Sequence, residues 1–313
     1  MNVLQRNLGL WRRHRLLTMK TTRSLTKQTE TLQADCSDSQ IDQRMDEEEW
    51  EERKPGPLRI LIQHHELIEN LILRDIRSRY KQSVLGIAWA LLTPFAMMLV
   101  FTIVFSHIAR VNTGSIPYPI FSYIALLPWT FFNQGVTTGA ESLTSNFNLI
   151  TKIYFPREVF PLVAVLGKAV DLGLGILALI PLYIFYHIHI TWLMVIVVPV
   201  LVMQICLMLG IALLLSSINV FYRDIRHIVP LLLQVWFFMT PIIYPLNMVP
   251  KRYMGIYMLN PMASMMDTYR RVALLGQSPM WDYLGLAAIM SIIALITGYC
   301  VFKRQEPAFA EII

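Results

Sequence analysis

The chain has 313 residues, of which 55% are hydrophobic and only 15% charged, with a net charge of +6. Soluble domains carry charge on about a quarter of their residues, so an ordinary soluble globule is excluded and a membrane protein is expected. The basic excess does not argue for nucleic acid, because several Lys and Arg residues flank apolar runs, where they orient membrane spans and meet anionic lipid.

Residues 1–56 are polar, rich in Ser, Thr and Gln, and end in the charged run Met45 to Lys54 before Pro55-Gly-Pro57. They are expected to form a disordered cytoplasmic tail. No apolar segment follows the basic Trp11-Arg-Arg-His-Arg15, so a cleaved signal peptide is not expected. Over residues 57–83 the pattern becomes helical. Leu61, Ile68, Ile72, Ile76 and Tyr80 share one face, while Glu66, Asn70, Arg74, Arg77 and Lys81 share another. The spacing predicts an amphipathic helix lying in the cytoplasmic lipid interface.

From residue 84 to 313 the chain reads as one all-α, polytopic domain with six transmembrane helices. The stretches between Lys81 and Arg110 and between Arg110 and Glu141 contain no formal charge. Each exceeds the roughly 20 residues that one helix needs to cross the hydrocarbon. Spans are predicted over about 85–108 and 118–140, joined by a turn with Asn112, Gly114 and Pro117. An amphipathic helix outside the hydrocarbon follows, with Leu143, Phe147, Ile150 and Tyr154 on one face. The uncharged run from Leu172 to Tyr222 is about twice what one helix uses. It is therefore divided between span three, from Val159 to near Tyr186, and span four, from about Trp192 to Ser216. His187 and His189 stand between them and read as turn residues, not a metal pair. A loop over 219–227 leads to span five, about Ile228 to Tyr244, with Pro230 and Pro241. Residues 247–280 are too polar to span and predict short re-entrant or surface helices. Span six runs from about Trp281 to Phe302, where Lys303-Arg304 ends it.

Lys and Arg near the span ends are twice as frequent on the side that holds the termini. This predicts that both termini are cytoplasmic. Neither a Walker loop nor a hydrolase motif is present, and no metal is expected. Cys36, Cys206 and Cys300 show neither paired nor ligand spacing and read as inert. Within the hydrocarbon, Lys168 and Asp171 are three residues apart and can neutralise one another on one helix face. Two aromatic groups lie near mid-membrane: Trp129, Phe131 and Phe132 in span two, and Trp236, Phe237 and Phe238 in span five. Such rings can stack on the C–H faces of sugars along a glycan route, or simply pack helices together. Both readings stay open on residue type alone.

The stretch Arg74-Asp-Ile-Arg-Ser-Arg-Tyr-Lys-Gln-Ser-Val-Leu-Gly-Ile-Ala-Trp-Ala-Leu-Leu-Thr-Pro94 resembles the start of permease subunits of type-2 ABC exporters, which move lipid-linked O-antigen, capsular polysaccharide or teichoic acid. The resemblance continues in order through Leu127-Pro-Trp-Thr-Phe-Phe132, Ile153-Tyr-Phe-Pro-Arg-Glu-Val-Phe-Pro161, Phe221-Tyr-Arg-Asp-Ile-Arg226 and Phe238-Met-Thr-Pro-Ile-Ile-Tyr-Pro245. Asn260-Pro261 and Phe309-Ala-Glu-Ile-Ile313 also fit, and only the first 56 residues depart from the pattern.

The resemblance implies a homodimeric permease joined to two copies of a separate ATP-binding cassette ATPase. ATP and Mg²⁺ would bind in that partner, and this chain would hold no cofactor and catalyse nothing. It implies an inner-membrane location and an undecaprenyl-linked polysaccharide of O-antigen or capsular type as substrate. The lipid head group would be admitted beside Leu85 and Gly86, where Arg77, Arg79 and Lys81 offer donors suited to phosphate. The aromatics of spans two and five, with Trp89 and Tyr244, would line the glycan channel. The segment from Ser142 to Glu158 matches the helix that couples to the ATPase, which puts Leu143, Phe147, Ile150, Tyr154, Arg157 and Glu158 at that contact. Two rival functions remain: a type-2 permease for a drug or lipid, and an intramembrane enzyme acting on lipid-linked sugars.

Overall fold

The computed structural model describes residues 65–80, 86, 88–114, 116–150 and 156–312. The N-terminal tail and residues 57–64 and 81–83 of the expected interfacial helix lie outside the described residues. Helix α1 (His65–Tyr80) carries Glu66 in its first turn and Arg77 and Arg79 in its last, a distribution that complements the helix dipole. It buries Ile68 and Leu71. Its neighbour is helix α5 (Val159–Phe185), so the apolar face of α1 is partly covered by protein.

Helix α2 (Ala88–Phe101) passes directly into a wider π-helical stretch, Thr102–Ile108. The turn after it closes on Asn112, whose side chain accepts from the Gly114 N–H at 2.9 Å while Gly114 takes φ 72°. Helix α3 (Tyr118–Ser145) is buried along most of its length and touches α2, α5 and the later helices. Because neighbours cover it, α3 tolerates polar residues. Thr137 and Thr138 donate back to the carbonyls of Asn133 and Gln134 at 2.8 and 2.7 Å. The helix also runs five residues beyond Ala140, so the first part of the expected amphipathic stretch belongs to α3, and the short helix α4 (Phe147–Ile150) follows among the described residues. Asn146 makes the break and donates to the Ser142 carbonyl at 2.9 Å.

The long uncharged run divides as expected. Helix α5 ends at Phe185, His187 turns the chain at φ 52°, and a 3-10 turn Trp192–Ile196 leads into α6 (Val197–Phe221). The next loop shrinks to 222–224, because α6 continues to Phe221 and α7 (Ile225–Phe238) starts at once. Asn219 therefore lies in a helix, where it donates to the Ala140 carbonyl at 3.0 Å. Helix α7 stops at Phe238 and not at Tyr244. Pro241 lacks an N–H and disfavours helical geometry at Thr240.

Short elements follow: 3-10 turns at Leu246–Met248 and Lys251–Tyr253, then α8 (Met254–Tyr257) and α9 (Pro261–Arg270). The Asn260 side chain caps α9 by accepting from the Met262 N–H at 3.1 Å, with Pro261 at the first helical position. Helix α10 (Trp281–Ile312) overruns the expected stop at Lys303-Arg304 by more than two turns.

Among the described residues there is no strand. Four helical segments among the described residues are long and apolar enough to cross a membrane: Leu91–Ile108, Val159–Phe185, Trp192–Phe221 and Trp281–Phe309. Helix α7 is apolar but shorter. A close backbone approach joins α6 to α10, where a Cβ on Gly298 would overlap the Gly210 carbonyl oxygen. Small residues permit this kind of contact between membrane helices, where dispersion replaces the hydrophobic effect as the driving force.

Candidate functional site

Four places on the bundle carry the residues of interest. The first is the junction of α1 with α5. Arg79 donates from Nη1 to Asp171 Oδ2 at 2.8 Å, and from Nη2 to Asp75 Oδ2 at 2.7 Å and the Gly167 carbonyl at 3.3 Å. Lys168 Nζ stands 3.8 Å from the same Asp171 oxygen. The expected self-neutralising Lys168–Asp171 pair is thus secondary, and the closer partner of Asp171 comes from α1. Both terminal nitrogens of Arg79 serve carboxylates, so its charge is already partly balanced within the chain. Arg77 is exposed. Gly86 sits at φ 50°, whereas Lys81 and Leu85 lie outside the described residues.

A cavity of about 200 Å³ opens beside this network, lined by Arg79, Lys168, Asp171, Trp89, Gln134 and Phe131 among others. It brings together residues expected at two separate places, Arg79 of the head-group site and Trp89 and Phe131 of the aromatic channel. An aromatic ring, an amide and both signs of charge around one cavity suit a polar ligand that has apolar faces.

The second place is the aromatic junction of α3 with α7. Phe132 and Trp236 meet edge to face at 5.2 Å, Trp129 and Phe132 are 5.6 Å apart, and Trp129 and Phe237 are 5.7 Å apart. Trp236 Nε1 donates to Asn260 Oδ1 at 2.8 Å. Trp129, Phe131 and Phe132 are all buried, whereas Trp89 and Phe238 keep 50% and 58% exposure. Within this chain Trp129 and Phe132 pack helices, and Trp89 and Phe238 present free ring surface. Tyr244 lies beyond the end of α7, with its hydroxyl 2.9 Å from that of Tyr257.

The third place is the end of the bundle around α4. Leu143 is fully buried with Phe160, Leu213, Phe302 and Phe309. It is therefore not available as a surface contact, a correction to its expected place on a coupling face. Apolar spacing alone cannot tell a face turned toward a partner from one turned toward the chain's own last helix. Phe147 remains 43% exposed, and Ile150 packs against the Leu143 cluster. Tyr154 lies outside the described residues. Arg157 and Glu158 turn toward α10: Arg157 Nη1 donates to the Glu306 carbonyl at 2.7 Å, and Glu158 accepts from Lys303 Nζ at 2.8 Å.

The fourth place was not singled out from sequence, where Arg270 counted only as one of the flanking charges. Its side chain is buried at the end of α9. It donates from Nη1 and Nη2 to the carbonyls of Pro241 and Ile242, and from Nη1 to the Tyr244 carbonyl at 3.3 Å. Nε donates to the Phe121 carbonyl at 3.3 Å, and the guanidinium lies 3.7 Å from the Phe121 ring centroid. Burial pushes Arg270 down to about 9, with Asp267 opposing, which leaves it cationic at neutral pH. The proline-bearing segment after α7 made this visible in principle, because its carbonyls needed a donor.

Among the described residues no group of three or more His, Cys, Asp or Glu side chains could hold a metal ion, and His187 and His189 form no such site.

The ABC-2 type transporter family pattern matches residues 66–274. The O-antigen export system permease protein RfbA of Myxococcus xanthus is 33% identical over 258 residues, covering 82% of this chain and 98% of the relative. The protein of the same name from Klebsiella pneumoniae is 31% identical, covering 77% and 92%. The polysialic acid transport protein KpsM of Escherichia coli is 24% identical, with 77% and 94% covered. With two thirds of its length in the family pattern and relatives aligned almost end to end, the chain belongs to the ABC-2 type transporter family as a multi-pass membrane permease.

Proposed function

We propose that this chain is the transmembrane subunit of an exporter of lipid-linked polysaccharide, powered by ATP hydrolysis in a separate ATP-binding cassette subunit. Relatives named for O-antigen export and polysialic acid transport support the substrate class. The working assembly is a homodimer with two ATPase subunits in the bacterial inner membrane. Each protomer crosses six times, with α3 and α7 as the second and fifth spans, and both termini are cytoplasmic. ATP and Mg²⁺ belong to the partner, and the carrier lipid is of the undecaprenyl type.

The observation that carries this reading is the cavity between α1 and the first three spans, where Lys168, Asp171, Arg79, Gln134 and Trp89 converge. It adjoins the helix read as interfacial, so a polar head group can enter while its lipid tail stays in the bilayer. Arg79 is held by two carboxylates, which leaves exposed Arg77 to attract phosphate and Lys168 to meet it inside. Trp89 offers ring surface to the first sugar. The short helix α4, with Phe147 exposed, is the contact for the ATPase, and closure of that partner drives a rigid-body shift of the attached spans.

Co-purification from the native membrane tests the reading. An ATPase subunit is expected to accompany the chain, and lipid-linked glycan is expected to stimulate its turnover. A chain isolated without such a partner, or a complex stimulated equally by free lipid, would remove it.

A further inference from the structure

A segment between two spans pushes those two spans simply because it is continuous with them. Here it is also fastened to a third. Lys303 bridges two carboxylates, Glu158 Oε2 at 2.8 Å and Glu306 Oε2 at 2.9 Å. Arg157 donates to the Glu306 carbonyl, and its guanidinium lies 6.0 Å from the Phe309 ring centroid. Phe302 and Phe309 are fully buried and meet edge to face at 5.6 Å, in one cluster with Leu143 and Phe160, while Leu149 and Ile150 pack against it. The segments before and after α4 thus share one cluster with the end of α10, and residues of α4 itself pack against that cluster.

The continuation of α10 needs such contacts. Pro307 deprives the Lys303 carbonyl of its helical partner, and charged residues in this stretch would ordinarily end a span. Above this region α10 lies backbone against backbone with α6 at Gly210 and Gly298, so a shift of α10 cannot leave α6 behind.

We propose that residues 303–309 form a coupling arm, through which the Glu158–Lys303–Glu306 bridge and Arg157 carry the ATPase-driven displacement straight into α10, and through α10 into α6. The proposal rests on the reading of the α4 region as the ATPase contact. Glu158, Lys303 and Arg157 act as positioning residues in it, since they touch neither nucleotide nor glycan. Glu158 is only 8% exposed, so removing Lys303 leaves a carboxylate with little access to water, and the arm loses its fixed geometry.

The test uses the full complex with its ATPase, reconstituted with lipid-linked glycan, and measures export and ATP hydrolysis in the same preparation. Glu158→Gln and Lys303→Met are expected to keep the partner bound and hydrolysing while export per ATP falls at least about threefold. Reversing all three charges in one exchange, Glu158→Lys with Lys303→Glu and Glu306→Lys, again places opposite charges on both sides of position 303 and is expected to restore the ratio. Unchanged export per ATP in both single variants overturns the arm, even where thermal stability drops, and so does a loss that the exchange fails to restore. If a single variant does not assemble, Arg157→Met removes the other bond that crosses from this segment to α10 and is read the same way. A wild-type chain with no ATPase partner fails the proposed function itself, whereas normal coupling in the variants fails only the arm.

Discussion

Arg79 on helix α1 and Asp171 on helix α5 are 92 positions apart and lie 2.8 Å from one another, joined by Asp75 on the same guanidinium. Both side chains are partly withdrawn from solvent, with 23% and 16% exposure, so the bridge is worth more than a surface pair. Arg79→Gln would remove the nearer cation and leave Asp171 beside the more distant Lys168. The expected cost is about 1–3 kcal/mol, read as a lower thermal midpoint in detergent. Arg77→Gln, at an exposed position, should leave the midpoint unchanged and lower glycan export. Equal midpoints for the two variants would show that the latch contributes nothing.

The aromatic residues divide by burial, and their variants should divide in the same way. Trp129→Ala removes a ring enclosed by Phe132, Trp236 and Phe237, with an expected loss of about 3–5 kcal/mol and poor recovery of folded protein. Trp89→Ala and Phe238→Ala remove exposed rings and should change stability by less than about 1 kcal/mol while slowing export. Thermal midpoints measured beside export rates separate the two classes. Slower export from stable Trp129→Ala would return that ring to the glycan route.

Gly210 and Gly298 should tolerate no side chain. Gly298→Ala places a methyl group on the Gly210 carbonyl and forces α6 and α10 apart, with an expected loss of about 1–3 kcal/mol. Gly173, with open space where its Cβ would stand, is the control, and Gly173→Ala should be neutral or slightly stabilising. A comparison of thermal midpoints decides it, and equal effects at both positions would contradict the close approach.

The all-helical, membrane-crossing character was legible because charge-free runs longer than one helix have few alternatives in a membrane. The turn at His187 could be placed for the same reason, as the polar interruption within such a run. Helix ends were less legible, because they depend on partners distant in sequence. Lys303 and Arg304 read as a stop signal, yet the helix continues, with Glu158, Arg157 and buried Phe309 meeting its last turns. Leu143 obeyed the amphipathic spacing but faces the chain's own last helix. The cavity was hidden because Arg79, Trp89 and Phe131 are adjacent only once α1, α2 and α3 have packed.

Arg270 supports the last prediction, because it had no signature beyond its charge. Helix α7 ends before Pro241, and the carbonyls of Pro241, Ile242 and Tyr244 turn toward one guanidinium, with that of Phe121 completing the set. A planar fork of five donors can serve four carbonyls at once, whereas an ammonium offers three donors from a single point. Arg270→Met should leave those carbonyls buried without a donor, at a cost of about 3 kcal/mol or more. Arg270→Lys keeps the charge but should recover only part of that stability. Limited proteolysis should find new cleavage between Met239 and Tyr244 in both variants, since the segment loses the donor that holds it against α9. A Lys variant with wild-type midpoint and protease resistance would mean that a point charge is enough and the fork is not required.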